Sequence, residues 1–182
     1  RTVIGPASNR VINEGEIVQI GCSPSFEGYK GVCRRAFVMG ERNEAQKRYF
    51  EVMNEGFRRA KEMLYQVCEN DLPSNLIDLA ARDYFATELV DGISMKNFHF
   101  YSTCHGTGLT ECLEKMVITP TKEELYGENV GIMLDLGCYG HPNSDICGGC
   151  VEDAFIKKGN EAFHFSDMPI DVQNLVGKEI QL

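Results

Sequence analysis

From Asn43 to Val67 the chain repeats an apolar residue every three or four positions: Phe50, Met53, Phe57, Ala60, Leu64 and Val67. That spacing puts all six on one stripe of a long helix. A helix with a single apolar stripe has to bury it against a second layer, so this segment constrains the fold more than any other. The opposite face carries Lys47, Arg48, Glu51, Arg58, Arg59, Lys61 and Glu62 and reads as solvated. Asn43 stands where an N-cap side chain accepts an orphan amide. Pro73 and Ser74 open a second helix over residues 75–90, with Leu76, Leu79, Ala80 and Phe85 inward.

Strands flank the helices. Residues 16–21 alternate around Val18 and Ile20, and residues 32–39 supply Val32, Phe37 and Val38. Between them Pro24, Gly28 and Gly31 are turn residues, which predicts a hairpin with a long loop. After the helices, residues 98–101 lead into the Gly-rich CHGTGL, and residues 130–136 and 150–157 read as further strands. A short helix is expected over 170–176, after Pro169. Strands, then helices, then strands make the class α+β.

Composition narrows the function. The chain has 182 residues, 43% of them apolar and 25% charged, which suits one domain with its own core. It has no run of 18 apolar residues, so no membrane span is expected. A net charge of −9 argues against nucleic-acid binding through a basic surface. The first residues, Arg-Thr-Val-Ile-Gly-Pro, lack the layout of an export signal. The eight cysteines are therefore expected as mostly free, often buried thiols in a reducing cytoplasm.

Three segments then line up in order: GEIVQIGCSPSFEGYKGVCRRAFVMG, HGTGL and GIMLDLGCYG…GGCVEDAF. Together they resemble the pita-bread hydrolases, the group of methionine aminopeptidase, aminopeptidase P, prolidase and creatinase. The resemblance implies a curved antiparallel sheet with helices on its outer face. It also implies that residues 1–182 are one portion of that domain, from the C-terminal part of a longer protein, with roughly 60–80 leading residues of the domain lying outside it. Members of the group commonly dimerise, so the resemblance implies a homodimer.

In the peptidases of that group five side chains, Asp, Asp, His, Glu and Glu, hold two divalent ions that activate water. On this chain those positions fall at Gly21, Val32, His105, Asp135 and Glu152. Gly21 offers only backbone and Val32 a hydrocarbon wall. The resemblance thus implies no dinuclear centre and no metal cofactor. One divalent ion on His105, Asp135, Glu152 and water stays open as an alternative, and so does an empty pocket in which these groups bond one another and water. Further departures cluster nearby: Tyr101 and Cys112 take positions often held by His, Leu113 one often held by Glu, and Cys150 one often held by Arg. Arg34 takes a threonine position, while Arg35 matches a family arginine and is expected to pair with a carboxylate left by the metal site. Alternation puts Cys150 on the face of Glu152 and turns Cys22 and Cys33 away. A thiolate site on Cys112, Cys147 and Cys150 and a cysteine nucleophile beside His105 are weaker alternatives.

The expected function is a peptidase homologue that has become a binding module for a peptide or small cationic ligand. Tyr29, Arg35, Tyr101, Cys112 and Cys150 would line its pocket. Two alternatives remain: a metal-free, creatinase-like hydrolase with His105 as acid and base and Asp135 and Glu152 as orienting groups, or an Xaa-Pro peptidase with an aberrant metal site.

Overall fold

The long helix forms where its stripe requires. In the computed structural model, which describes residues 9–112 and 114–177 (backbone alone at 115 and 116), helix α1 spans Glu44–Asn70. The calls on residues 1–6 and on Leu113 lie outside the described residues. Asn43 caps α1 through a capping box: its Oδ1 accepts from Gln46 N at 2.9 Å, and Gln46 Oε1 accepts from Asn43 N at 3.0 Å. All six stripe residues are at most 1% exposed.

Helix α2 spans Asn75–Thr87, ending before residue 90. Its buried side is Ile77, Asp78, Ala81 and Phe85, while Leu76, Leu79 and Ala80 are half-buried. This departs from the apolar expectation because Asp78 is drawn inward. Its carboxylate accepts from Thr103 N and Thr103 Oγ1 and pairs with Arg82. A fully satisfied buried acid overrides hydrophobic phase.

The chain forms strands β1 (Ile17–Cys22), β2 (Ser25–Phe26), β3 (Tyr29–Lys30), β4 (Cys33–Val38), β5 (Leu89–Val90), β6 (Ile93–Ser94), β7 (Cys104–Thr107), β8 (Glu114–Ile118), β9 (Asn129–Tyr139), β10 (Gly148–Lys158) and β11 (Glu161–His164). The main sheet has the order β1-β4-β10-β9-β7-β8, with β11 on β10, and its pairs are antiparallel. β2 and β3 form a small hairpin inside the long loop between β1 and β4, and β5 pairs with β6.

Residues 98–101 form no strand. Arg82 donates to the carbonyls of His99 and Tyr101 at 2.7 and 2.6 Å, and Tyr139 N donates to Phe98 O at 2.9 Å. The carbonyls a ladder would need are already taken. The tail has a single 3-10 turn, Gln173–Leu175, shorter than the helix expected there because the Gln173 side chain is tied to Val38 N, Val38 O and Gly40 O.

Both helices pack on one face of the sheet. Tyr49 donates to Cys138 O, and Tyr65 meets Phe155 edge-on. The main core lies in this layer, with Leu134, Leu136, Cys138, Val151 and Phe155 contributed by the two central strands. Because side chains alternate along a strand, the residues between them face away from the helices. A separate small apolar cluster there joins Val32, Met133 and Ala154. Of the eight cysteines, Cys68, Cys104, Cys138 and Cys150 are buried and all are free thiols. No helix among the described residues is long and apolar enough to cross a membrane.

Gly56 sits where α1 meets α2, and a Cβ there would collide with the Phe85 ring. Ala is the better helix former by about 1 kcal/mol, yet overpacking costs about 1–3 kcal/mol. Gly56→Ala should therefore lower stability in urea unfolding, and Phe85→Leu should relieve the added loss.

Candidate functional site

The register of the sheet builds the site. Gly21 on β1 pairs directly with Arg34 on β4. Arg34 pairs with Glu152 on β10, and Glu152 with Asp135 on β9. Four residues thus form one row across four strands. Direct antiparallel partners share a face with Cβ atoms about 5 Å apart. His105, on β7, is opposite Met133, two residues along β9 from Asp135.

His105, Asp135 and Glu152 come together as expected. One ligand atom from each lies within 4.8 Å of the others, and no other group of three His, Cys, Asp or Glu among the described residues is as close. His105 Nε2 is 3.5 Å from Glu152 Oε1. Tyr101 Oη donates to Asp135 Oδ1 at 2.9 Å, and Cys150 Sγ donates to the same oxygen at 3.0 Å. Burial, reinforced by the Asp135 charge, pushes both the Tyr101 and Cys150 groups well up, so both stay protonated donors. A neutral Cys150 is a poor nucleophile and a poor ion ligand.

Arg34 is the member that residue-by-residue reading missed. Its Nη2 lies 3.0 Å from Glu152 Oε2 and 3.9 Å from Glu111 Oε1, and its Nη1 lies 3.9 Å from Asp135 Oδ2. Burial disfavours its charge, but Glu152, Cys150 and Asp135 outweigh burial and raise its pKa. The expectation for Arg35 is corrected. Its guanidinium faces the other side of β4, where it holds Asp153 at 2.9 Å and donates to Pro169 O and Met168 O. The signal was present: Arg34 is two residues from Val32 and shares its face, whereas Arg35 does not.

The expectation for Cys112 is corrected as well. Cys112 is exposed in the turn before β8, and Cys147 is exposed as well, so these two do not gather with buried Cys150. The turn brings Glu111 towards the cluster instead. Tyr29 is exposed on the β2–β3 hairpin. It lines a cavity of about 1410 Å³ with Phe26, Val32, Thr107, Ala154 and Phe165. Thr107 and Ala154 stand two residues beyond His105 and Glu152 on their strands, so the cavity adjoins the cluster. Another cavity, of about 990 Å³, lies at the far end of β9 beside Phe100, Tyr139 and Asp145. Cys33 turns away from the cluster, towards Ser166 at 3.6 Å.

A model of metallopeptidase family M24 matches residues 2–166. The chain belongs to this family. It is 27% identical over 135 residues to an Xaa-Pro dipeptidase of Pyrococcus furiosus, spanning 74% of this chain and 36% of that protein. Among solved structures it superposes on an X-Pro aminopeptidase of Thermotoga maritima with a TM-score of 0.75 at 22% identity. That match covers 92% of this chain and 44% of the other. The N-terminal domain of the FACT complex subunit SPT16 of Cicer arietinum shares the fold with a TM-score of 0.71 at 12% identity, covering 89% of this chain and 38% of that one. The chain thus spans less than half the length of these relatives, and the structural matches concern the pita-bread fold alone.

Burial works against protonating His105. The hydrogen bond to Glu152, the Gly106 carbonyl and the charges of Glu152 and Asp135 outweigh it and raise the pKa. Burial also pushes the Glu152 carboxyl up, with Asp135 adding to the effect against His105 and Arg34. A raised folded-state pKa stabilises fully below the unfolded value, about 6.5 for His, and the gain is lost as pH rises through the folded value. The urea midpoint of the protein should therefore fall between about pH 6.5 and 8, below the range where the buried thiols begin to contribute, and His105→Gln should remove that part of the slope. An NMR titration of His105 should place its pKa above that of a free imidazole.

Proposed function

We propose that this chain is a metal-independent relative of the Xaa-Pro peptidases that binds a peptide or small molecule rather than cleaving it. The observation that carries this reading is the Val32 side chain. It packs with Met133 and Ala154 as an apolar floor where the family resemblance calls for a carboxylate. With Gly21 supplying only backbone, two of the five ligand positions offer no side-chain donor to an ion. The donors that remain do not fit a two-ion centre, and an ion on His105, Asp135 and Glu152 would face the Arg34 guanidinium already beside Glu152.

The same features bear on the ligand. Arg34 offsets the acids, so a cationic ligand would find little uncompensated charge. The cavity beside the cluster combines the Val32 floor with Phe26, Tyr29 and Phe165, a composition suited to an apolar side chain with a few polar groups at one end. A short peptide with an apolar residue on Val32 and a polar end towards His105 fits this reading.

A second reading is favoured by the His105–Glu152 pair. An imidazole with raised proton affinity next to a buried carboxyl is a candidate acid–base pair, and it would act on a small substrate without metal. The two readings separate by turnover. Incubated with Xaa-Pro dipeptides or small amidines, with and without Mn2+, the protein should give no product by chromatography. Calorimetry with short apolar peptides should show binding, weakened about tenfold in Tyr29→Ala, the order expected for losing one aromatic contact. Metal-dependent turnover of Xaa-Pro dipeptides would overturn the binding-module reading, and metal-free turnover abolished by His105→Gln would establish the second.

A further inference from the structure

The Arg34 side chain runs directly over Gly21. The two are register partners, and a Cβ built on Gly21 would lie 3.0 Å from Arg34 Nε and 3.2 Å from Arg34 Cγ. From there the guanidinium enters the acid cluster, 3.0 Å from Glu152 Oε2 and 3.9 Å from Asp135 and Glu111 oxygens. Glu152 is 1% exposed, and its Oε2 makes no hydrogen bond of proper geometry. The charge of Arg34 is what that oxygen faces.

We propose that Arg34 is a built-in cation that supplies the positive charge ions bring in the family, and that Gly21 and Arg34 are one coupled replacement. The missing side chain at 21 opens the lane that the arginine fills. A side chain at 21 would press on the arginine at 3.0–3.2 Å from its first carbon, so a carboxylate there would push Arg34 off its present course. Arginine suits the role because it stays charged when buried and its planar group can face several carboxylates. A divalent ion brought to His105, Asp135 and Glu152 would meet this guanidinium as a like charge at short range. The inference rests on the metal-independent reading and adds the residue that enforces it.

The test compares the wild-type protein, Gly21→Ala, Arg34→Thr and the double variant, by thermal melting in chelator and in Mn2+ and by calorimetric titration with Mn2+. Wild type should take up no ion and should not change its melting temperature. Arg34→Thr, with its acids uncompensated, should melt about 10 °C lower in chelator. It should recover at least half of that loss in Mn2+ as one ion binds. Gly21→Ala should lower the melting temperature of wild type but leave Arg34→Thr unchanged, since only the arginine is in its way. Saturable Mn2+ binding by wild type overturns both this inference and the metal-independent reading. An Arg34→Thr protein that binds no ion, or an equal effect of Gly21→Ala in both backgrounds, overturns the inference alone. If Arg34→Thr does not fold, Arg34→Lys serves in its place. It keeps the charge and should bind no Mn2+, and a neutral Gly21→Ala in wild type would still refute the coupling.

Discussion

The structure depends on the pairing of two adjacent arginines with two adjacent acids across β4 and β10. Arg34 meets Glu152 on one face of the sheet, and Arg35 meets Asp153 on the other. All four are buried. Losing one partner of a buried pair leaves an uncompensated charge at a cost of about 3–5 kcal/mol. A slip of one residue would turn every side chain of the strand to the opposite face. The double pair therefore opposes any other register between β4 and β10, and that register aligns the row from Gly21 to Asp135.

The two faces use the same motif for different ends. On the helix side, Asp153 is shared by Arg35 and His164, and Arg35 ties β4 to the segment at Met168 and Pro169. That pair is structural, as its carbonyl partners show. On the other face, among the described residues, Arg34 has no backbone anchor of this kind and reaches three carboxylates and the Cys150 sulfur. The groups around it are those that alternation turns towards the pocket. Arg82 and Asp78 support this face from below, holding the irregular segment that delivers Tyr101 to Asp135.

Much of this was legible in the sequence. The α1 stripe, its Asn43 cap, the strands on either side and the α+β class follow from periodicity and turn residues. The convergence of His105, Asp135 and Glu152 follows from motif order. Where reading failed, a long-range contact had overridden a local rule. Thr103 and Arg82 pulled Asp78 inward and shifted the buried face of α2. Arg82 took the carbonyls that residues 98–101 needed for a strand. The exposed position of Cys112 depends on a turn whose path no local pattern specifies.

By itself the sequence determined which side chains exist to do chemistry: a backbone-only residue at 21, an isopropyl group at 32, and one imidazole with two carboxyls after them. Those identities are chemical facts that no fold can change. Only the tertiary structure decided which arginine meets the acids. Arg34 and Arg35 are neighbours of one residue type, and what separates them is the face of the sheet, fixed by pairing with a strand more than a hundred residues away. The charge of the pocket was written in the chain, but its placement came from register.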